Sequence, residues 1–334
     1  MSIKWMEGFE QFANLSGSTA VRDALQTAGY TVSSNGTDSI LVSPGRVANA
    51  YALRLSQAPS NARSASFQRT FESESDLVSI GFAYMATERS PIVQIGSLPV
   101  LEWPVGCRLN GVDGEAIPIR NIWYYYELVI DKQAEEMRLY INNRLDITAP
   151  LPAEAQNMTT YQVKFGSSIT SSTATTQFID DLMFIDGEGD GITDRIGPIE
   201  ITTRFPTADV TTDWEPSIEG QPLYTMVNQR PPQAGRYIQA NVSGQEATFT
   251  SSQELPTDSQ IFAIGLVARA LKTDIDNRQL GLIWGEGDNR LEFIDTSLST
   301  ENEYSYAFFE KPAPGQNWTK ELVEQEPFGV KVRP

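Results

Sequence analysis

The sequence predicts an all-β protein built from two β-sandwich domains with one short helix. Three observations carry that expectation. Apolar residues recur mainly with period two, the repeat of a strand and not of a helix. Gly, Pro, Asn and Asp cluster between the alternating segments, where turns belong. At 334 residues the chain is long for one hydrophobic core, and an Asp- and Gly-rich stretch divides it into two β-rich halves.

One helix signal stands near the start. Ser18-Thr19 is placed to cap Ala20 to Ala28, with Val21, Leu25 and Ala28 at helical spacing and Gly29 past the end. Tyr30–Ser33 and Ile40–Val42 flank Asn35-Gly36, which predicts a short hairpin because a type I′ turn needs positive φ at both central residues. Tyr51, Leu53 and Leu55 alternate with Ala52 and Arg54. In the next strand Val78, Ile80, Phe82 and Tyr84 form the predicted core-facing set, followed by strands at Ile92–Ile95 and Leu101–Trp103. From Trp123 to Thr148 the pattern is a hairpin. Tyr124, Tyr126, Leu128 and Ile130 share one face, Met137, Leu139 and Ile141 another, and residues 131–136 and Asn142-Asn143 turn the chain. Tyr161–Phe165 and Phe178–Ile185 complete the first domain, placed at residues 1–195. In FIDDLMFID, Phe178, Leu182 and Phe184 are expected on one face and Ile179, Asp181, Met183 and Ile185 on the other.

The second domain, 196–334, is again expected to be β-rich. Strands are predicted at Ile199–Phe205, Leu223–Val227, Tyr237–Val242, Ala247–Thr250 and Tyr304–Phe309. Longer buried strands are predicted at Ile261–Ala270 and Gln279–Trp284.

Three phrases carry a resemblance. Residues 123–148 are similar to the phrase of laminin-G-like jelly rolls, with Asn143 where glycine is usual, a position Asn tolerates in the left-handed region. The junction reads IDDL, then Asp186-Gly187, Gly197-Pro198 and Arg204-Phe205-Pro206-Thr207-Ala208-Asp209. The C-terminal stretch carries Trp318, Thr319, Glu321, Leu322 and then Phe328-Gly329-Val330-Lys331-Val332. Together these resemble virion structural proteins of tailed bacteriophages with an N-terminal concanavalin A-like or laminin-G-like jelly roll. The resemblance implies a jelly roll followed by a second β-sandwich, assembly as a homo-oligomer (trimer or hexamer) with other virion proteins, and a place on the virion. It also implies that Asp180 and Asp181 define the fold by bonding loop amides.

Composition narrows the chemistry. The chain has no histidine, which excludes Ser-His-Asp and Cys-His catalysis, His-ligated zinc and imidazole switching. Its one cysteine, Cys107, forms no intrachain disulfide and reads as a buried apolar residue. A net charge of −18 opposes binding to a phosphate backbone, so nucleic acid is not an expected partner. No apolar run approaches the roughly 20 residues that span a bilayer, so membrane insertion is not expected. MSIKWMEGFEQF lacks a basic segment followed by an apolar one, so the expectation is synthesis in a bacterial host cytoplasm without a secretory signal.

The candidate sites are few. Glu72, Glu74 and Asp76 have the alternation of a glycosidase strand but sit where a turn belongs, and read as solvated. Asp186, Glu188 and Asp190, separated by glycines, could supply oxygens to a structural Ca2+. Trp103, with Arg108 and Asn110 nearby, and Tyr124 and Tyr126 are candidate rings for a glycan or for a subunit interface. With no catalytic constellation, no catalytic residue and no cofactor beyond that Ca2+ are expected. The leading expectation is a non-enzymatic virion component (capsid decoration, collar, or tail-surface or fibre component) acting through oligomeric interfaces. The alternative is a glycan-binding adhesin that contacts host surface glycan.

Overall fold

The computed structural model describes residues 2–34, 39–58, 65–166, 174–188 and 194–334. The chain divides into two compact units, Met1–Ile201 and Thr202–Pro334.

The first unit opens with β1 (Ile3–Glu7) and α1 (Ser18–Thr27). Then come β2 (Thr31–Ser33), β3 (Ser39–Pro44), β4 (Tyr51–Gln57), β5 (Ser66–Glu72), β6 (Leu77–Ala86) and β7 (Pro91–Ile95). Short strands β8 (Leu101–Glu102), β9 (Arg108–Leu109) and β10 (Val112–Asp113) precede β11 (Tyr124–Asp131), β12 (Glu136–Ile141), β13 (Arg144–Pro150), β14 (Thr160–Phe165) and β15 (Thr175–Ile185). They form two antiparallel sheets. The eight-stranded one runs β13-β12-β11-β6-β15-β4-β3, with β1 also on β15; the seven-stranded one runs β10-β9-β8-β7-β14-β5-β2. Between them lies an aromatic core. Phe82 stacks on Tyr126 and meets Phe165 edge-on, and Phe71 stacks on Phe184 at 4.4 Å. Each such ring, fully buried, stabilises by about 1.5–3 kcal/mol.

Several expectations are corrected here. α1 is N-capped by Gly17, not by Ser18-Thr19; the Ser18 hydroxyl instead accepts from the Ile40 amide at 3.1 Å. Gly29 does follow the helix with φ of 85°. The strands on either side of Asn35-Gly36 do not form a hairpin, because β2 pairs with β5 and β3 with β4, in opposite sheets. The turn residues themselves lie outside the described residues. In β15 a bulge between Asp180 and Met183 shifts the register, with Asp181 at a φ of 49°. Phe178 therefore pairs with Met85 on the outer face and Phe184 with Ile80 on the inner face, so the two do not share a side. The β11–β12 hairpin has the predicted pairing, and Asn142 and Asn143, with φ of 48° and 72°, turn β12 into β13.

The predicted strand at Ile199–Phe205 is absent. Pro198 and Pro206 have no amide hydrogen, and the amides of Ile196, Gly197 and Ile201 bond to buried carboxylates instead of to a sheet. Glu127 accepts from the amides of Ile196 at 3.2 Å and Gly197 at 2.9 Å, and pairs with the Arg195 guanidinium at 2.9 Å. Asp181 accepts from the Ile201 amide at 2.7 Å and pairs with Arg46 at 2.7 Å. Asp180 accepts from the amides of Arg46 at 3.1 Å and Asp181 at 2.8 Å. This strap lies against the outer face of the eight-stranded sheet and keeps residues up to Ile201 with the first unit. Asp180 and Asp181 do bond loop amides.

Tyr125 points to that same outer face and is buried there. Gly81, diagonally across on β6, leaves room for its ring, since a Cβ at Gly81 would collide with the Tyr125 hydroxyl. That hydroxyl has no hydrogen-bond partner among the described residues.

The second unit contains β16 (Ala208–Thr212), β17 (Glu215–Pro216), α2 (Tyr224–Val227), β18 (Ile238–Gln239), β19 (Glu246–Thr250), β20 (Ile264–Ala270) and β21 (Gln279–Trp284). It closes with β22 (Leu291–Asp295), β23 (Glu303–Phe309), α3 (Lys320–Gln325) and β24 (Phe328–Arg333). A five-stranded sheet runs β16-β19-β24-β21-β22, and the β20-β23 pair packs on it through Leu266, Ala268, Leu280, Leu282 and Ala307. Leu223–Val227 is therefore a helical turn and not a strand. Asp209 explains it, because its carboxylate accepts from the amides of Leu223 at 2.9 Å and Tyr224 at 2.6 Å. The expected strand at Ile261–Ala270 starts at Ile264 and buries only one face, and Tyr237–Val242 contributes only β18.

The phrases at the junction and the C-terminus hold this unit together. The Arg204 guanidinium donates to the carbonyls of Ser251, Gln253 and Val323. Trp318 meets Trp284 edge-on at 4.7 Å, and Thr319 caps α3.

Two outcomes follow. Tyr125→Phe removes a buried hydroxyl without a partner and raises stability by about 1 kcal/mol, read as a higher denaturant midpoint. Burial, with the Asp181 charge second, raises Asp180 to about 7, and burial raises Asp181 to about 6 against the pull of Arg46. Both lie above an unfolded aspartate's value near ~4, so the native state binds the extra protons in that window. Stability from this pair is full below about pH 4 and is lost as pH rises through about 6 to 7. Denaturation midpoints across that range fall with pH in the wild type, and Asp180→Asn flattens the slope.

Candidate functional site

The seven-stranded sheet has one face in the core and one in water. On β5, Phe67, Arg69 and Phe71 face inward while Gln68, Thr70 and Glu72 face out; on β14, Tyr161, Val163 and Phe165 face inward while Thr160, Gln162 and Lys164 face out. Register continues the outer rows across neighbouring strands. Thr31, Gln68, Lys164 and Gln94 stand side by side over four strands, and Thr70 pairs with Gln162. With strands about 4.8 Å apart, that row spans roughly 14 Å. Its planar amides each offer two donors and an acceptor, and Lys164 adds a cation.

The face ends at a cleft. Glu72, hydrogen-bonded to the Thr160 hydroxyl at 2.8 Å, lies at its lip. With Ser73, Glu74 and Thr159 of the seven-stranded sheet's end, and Lys4, Asp186 and Glu188 of the other sheet's end, it lines a cleft of 350 Å³. Glu74 and Asp76 lie in the turn between β5 and β6, as the sequence predicts for them.

Of the three Ca2+ candidates, Asp186 and Glu188 lie among the described residues. Asp186 is fully buried and Glu188 exposed, and both face the Lys4 ammonium, at 2.7 Å and 3.9 Å. Asp190 lies outside the described residues. Among the described residues no group of three or more acidic or sulfur side chains is arranged to hold a metal ion. The Lys4 ammonium supplies a positive charge to the acidic pair.

The candidate rings are mostly in the core. Trp103 is 3% exposed and donates from Nε1 to the Val105 carbonyl at 3.2 Å; Tyr126 is 1% exposed, between Phe82 and Tyr84. Tyr124 is half-buried, its hydroxyl accepting from the Ile119 amide at 3.1 Å. The reason is the alternation itself: Tyr124 and Tyr126 share their side with Leu128 and Ile130, which is the inner side. Tyr125 takes the outer side but is buried there, with the Arg46 guanidinium 5.9 Å from its ring centroid. Arg108 pairs with Asp113, and Asn110 donates to the Pro150 carbonyl. Cys107 is buried beside Tyr126, and burial pushes its thiol up to about 12, so it stays protonated.

The polar row on β5 and β14 went unrecognised because β5 itself was missed. Arg69 interrupts its inward apolar series, and that guanidinium sits over the Trp5 ring at 3.2 Å from its centroid. The spacing of Phe67 and Phe71 was the available signal.

A second cleft, of 480 Å³, lies within the second unit beside Trp214.

No protein-family profile matches the chain, and no curated protein matches it. Among solved structures, a sialidase is similar over 55% of this chain at 15% identity with a TM-score of 0.42; the chain spans only 18% of that protein. Domain 4 of a GH43 extracellular arabinanase from Geobacillus stearothermophilus, solved with arabinotriose, is similar over 55% of this chain and 92% of its own length, at 13% identity and a TM-score of 0.37. An alginate lyase of Polysaccharide Lyase family 7 is similar over 48% of this chain and 94% of its own length, at 8% identity and a TM-score of 0.35. The expectation that the protein is not an enzyme is corrected at this point. Structures similar to it include a sialidase and alginate lyases, at low identity and over part of this chain. What the chain shares with these structures is the β-sandwich.

Proposed function

We propose that this chain is a glycan-binding β-sandwich protein whose first unit holds an oligosaccharide on the outer face of its seven-stranded sheet. The observation that carries this reading is the row Thr31, Gln68, Lys164 and Gln94, with Thr70 and Gln162 beside it. A sugar presents many hydroxyls, each both donor and acceptor. Side-chain amides and hydroxyls on a rigid sheet match them with little ordering cost. Lys164 takes a ring hydroxyl or a sugar carboxylate. The cleft at the strand ends, lined by Glu72 and Glu74, gives the chain end a second set of acceptors.

The solved arabinanase domain with bound arabinotriose supports a saccharide as the ligand class. The phrases at residues 178–209 and 318–332 support a compatible second reading, in which the protein is carried on a phage particle as a homo-oligomer and meets a host surface glycan. Peptides of this chain in purified virions would uphold that second reading, and their absence would remove it.

The test is a glycan array followed by titration of the positive glycans. Gln68→Ala and Gln162→Ala each weaken binding about threefold to tenfold, as expected for the loss of one hydrogen bond apiece. A protein that binds no glycan, or one whose affinity is unchanged in both variants and in Lys164→Ala, overturns the proposal.

A further inference from the structure

We propose that the cleft beside Trp214 in the second unit is a separate saccharide subsite, and that it takes a neutral sugar ring. The inference rests on the reading of the protein as glycan-binding but uses none of the residues of the first unit.

The cleft lies between β16 and the loop that returns from β17 to α2. Its walls are Trp214, Pro216 and Pro222, and its rim carries Asp209, Thr212 and Gln221. A volume of 480 Å³ falls within the range of small-molecule sites. Trp214 is held in place from behind. Its Nε1 donates to the Gln245 carbonyl at 3.2 Å, and its ring packs against both the Leu223–Ala247–Phe249 cluster and the Leu280–Leu282–Ala307 cluster. It is half-buried, so part of the indole lines the cleft.

The facing loop is held equally firmly. Asp209 fixes it through the amides of Leu223 and Tyr224. One tryptophan and two prolines have little freedom left to lose when a ligand binds.

The chemistry of the lining selects the ligand. An indole and two pyrrolidine rings offer flat apolar surface, which suits the C–H face of a pyranose. The exposed Thr212 hydroxyl and Gln221 amide offer hydrogen bonds to ring hydroxyls. None of the lining residues is cationic and one is a carboxylate, so a uronate or sulfated sugar is disfavoured. This charge preference separates the cleft from the Lys164 row.

The experiment is an NMR titration of the full chain with maltotriose and cellotriose as neutral probes and trigalacturonate as the charged control. The Trp214 indole N–H resonance moves with a neutral probe and not with trigalacturonate. The double variant Thr212→Ala/Gln221→Ala, both exposed and outside the core, weakens that response about tenfold. Gln68→Ala leaves it intact. No movement of the indole with either neutral probe at about 10 mM, or an unchanged response in the double variant, overturns the inference. A moving indole in a protein whose array binding ignores Gln68 and Gln162 removes the first-unit reading alone. The converse pattern removes this inference alone.

Discussion

The first unit depends on covering both faces of its eight-stranded sheet. A sandwich buries the inner face of each sheet for free, but here the outer face of the larger sheet is apolar and aromatic too, with Tyr125, Ala83 and Gly81 in its middle. The chain covers that face with its own backbone. An irregular strap over a sheet has amides that no strand satisfies, and the structure meets them with the buried carboxylates of Glu127 and Asp181. Buried carboxylates in turn need cations, and Arg195 and Arg46 provide them. The β-bulge at Asp180 exists within this arrangement, since Asp181 bonds the strap while Asp180 bonds the Arg46 amide of the loop between β3 and β4.

Covering one sheet leaves the other open to solvent, and this is the surface on which we propose that a glycan binds. The outer face of the seven-stranded sheet carries amides, hydroxyls and a lysine in rows set by strand register, on a scaffold stiffened by stacked aromatic rings. That rigidity matters, because ordering flexible side chains would consume much of the small gain that each hydrogen bond to a sugar gives over water. In the second unit the same principle takes another form. Trp214 is rooted in two hydrophobic clusters and Asp209 fixes the loop opposite, so the cleft between them is formed before any ligand arrives.

Much of this was legible in the sequence. Val78 to Tyr84, Tyr124 to Ile130 and Met137 to Ile141 alternate cleanly, and each forms the strand and the hairpin pairing expected. Legibility failed where side chains replaced strand pairing. Ile199–Phe205 has the composition of a strand, yet its Ile201 amide goes to Asp181, and the Ile196 and Gly197 amides just before it go to Glu127, both far away in sequence. Leu223–Val227 looks like a strand as well, until Asp209 caps it into a helical turn. Asn35-Gly36 marks a turn locally, but nothing local reveals that its two strands enter different sheets. The binding candidates went astray for a related reason. Large aromatics such as Trp103 and Tyr126 attract attention as ligand platforms, but period two had already assigned Tyr126 to the core. The outward row was written in Gln, Thr and Lys, residues that any solvated strand face carries. It stands out only when register brings four strands side by side.

The most direct measurement is a titration of isotopically labelled protein with an array-positive oligosaccharide, following the side-chain amides of Gln68, Gln94 and Gln162 and the backbone of Lys164. Saturable shifts confined to these groups and their neighbours on β5, β7 and β14 are the predicted result. Saturation of the ligand with these resonances unmoved would contradict the placement of a glycan on the seven-stranded sheet.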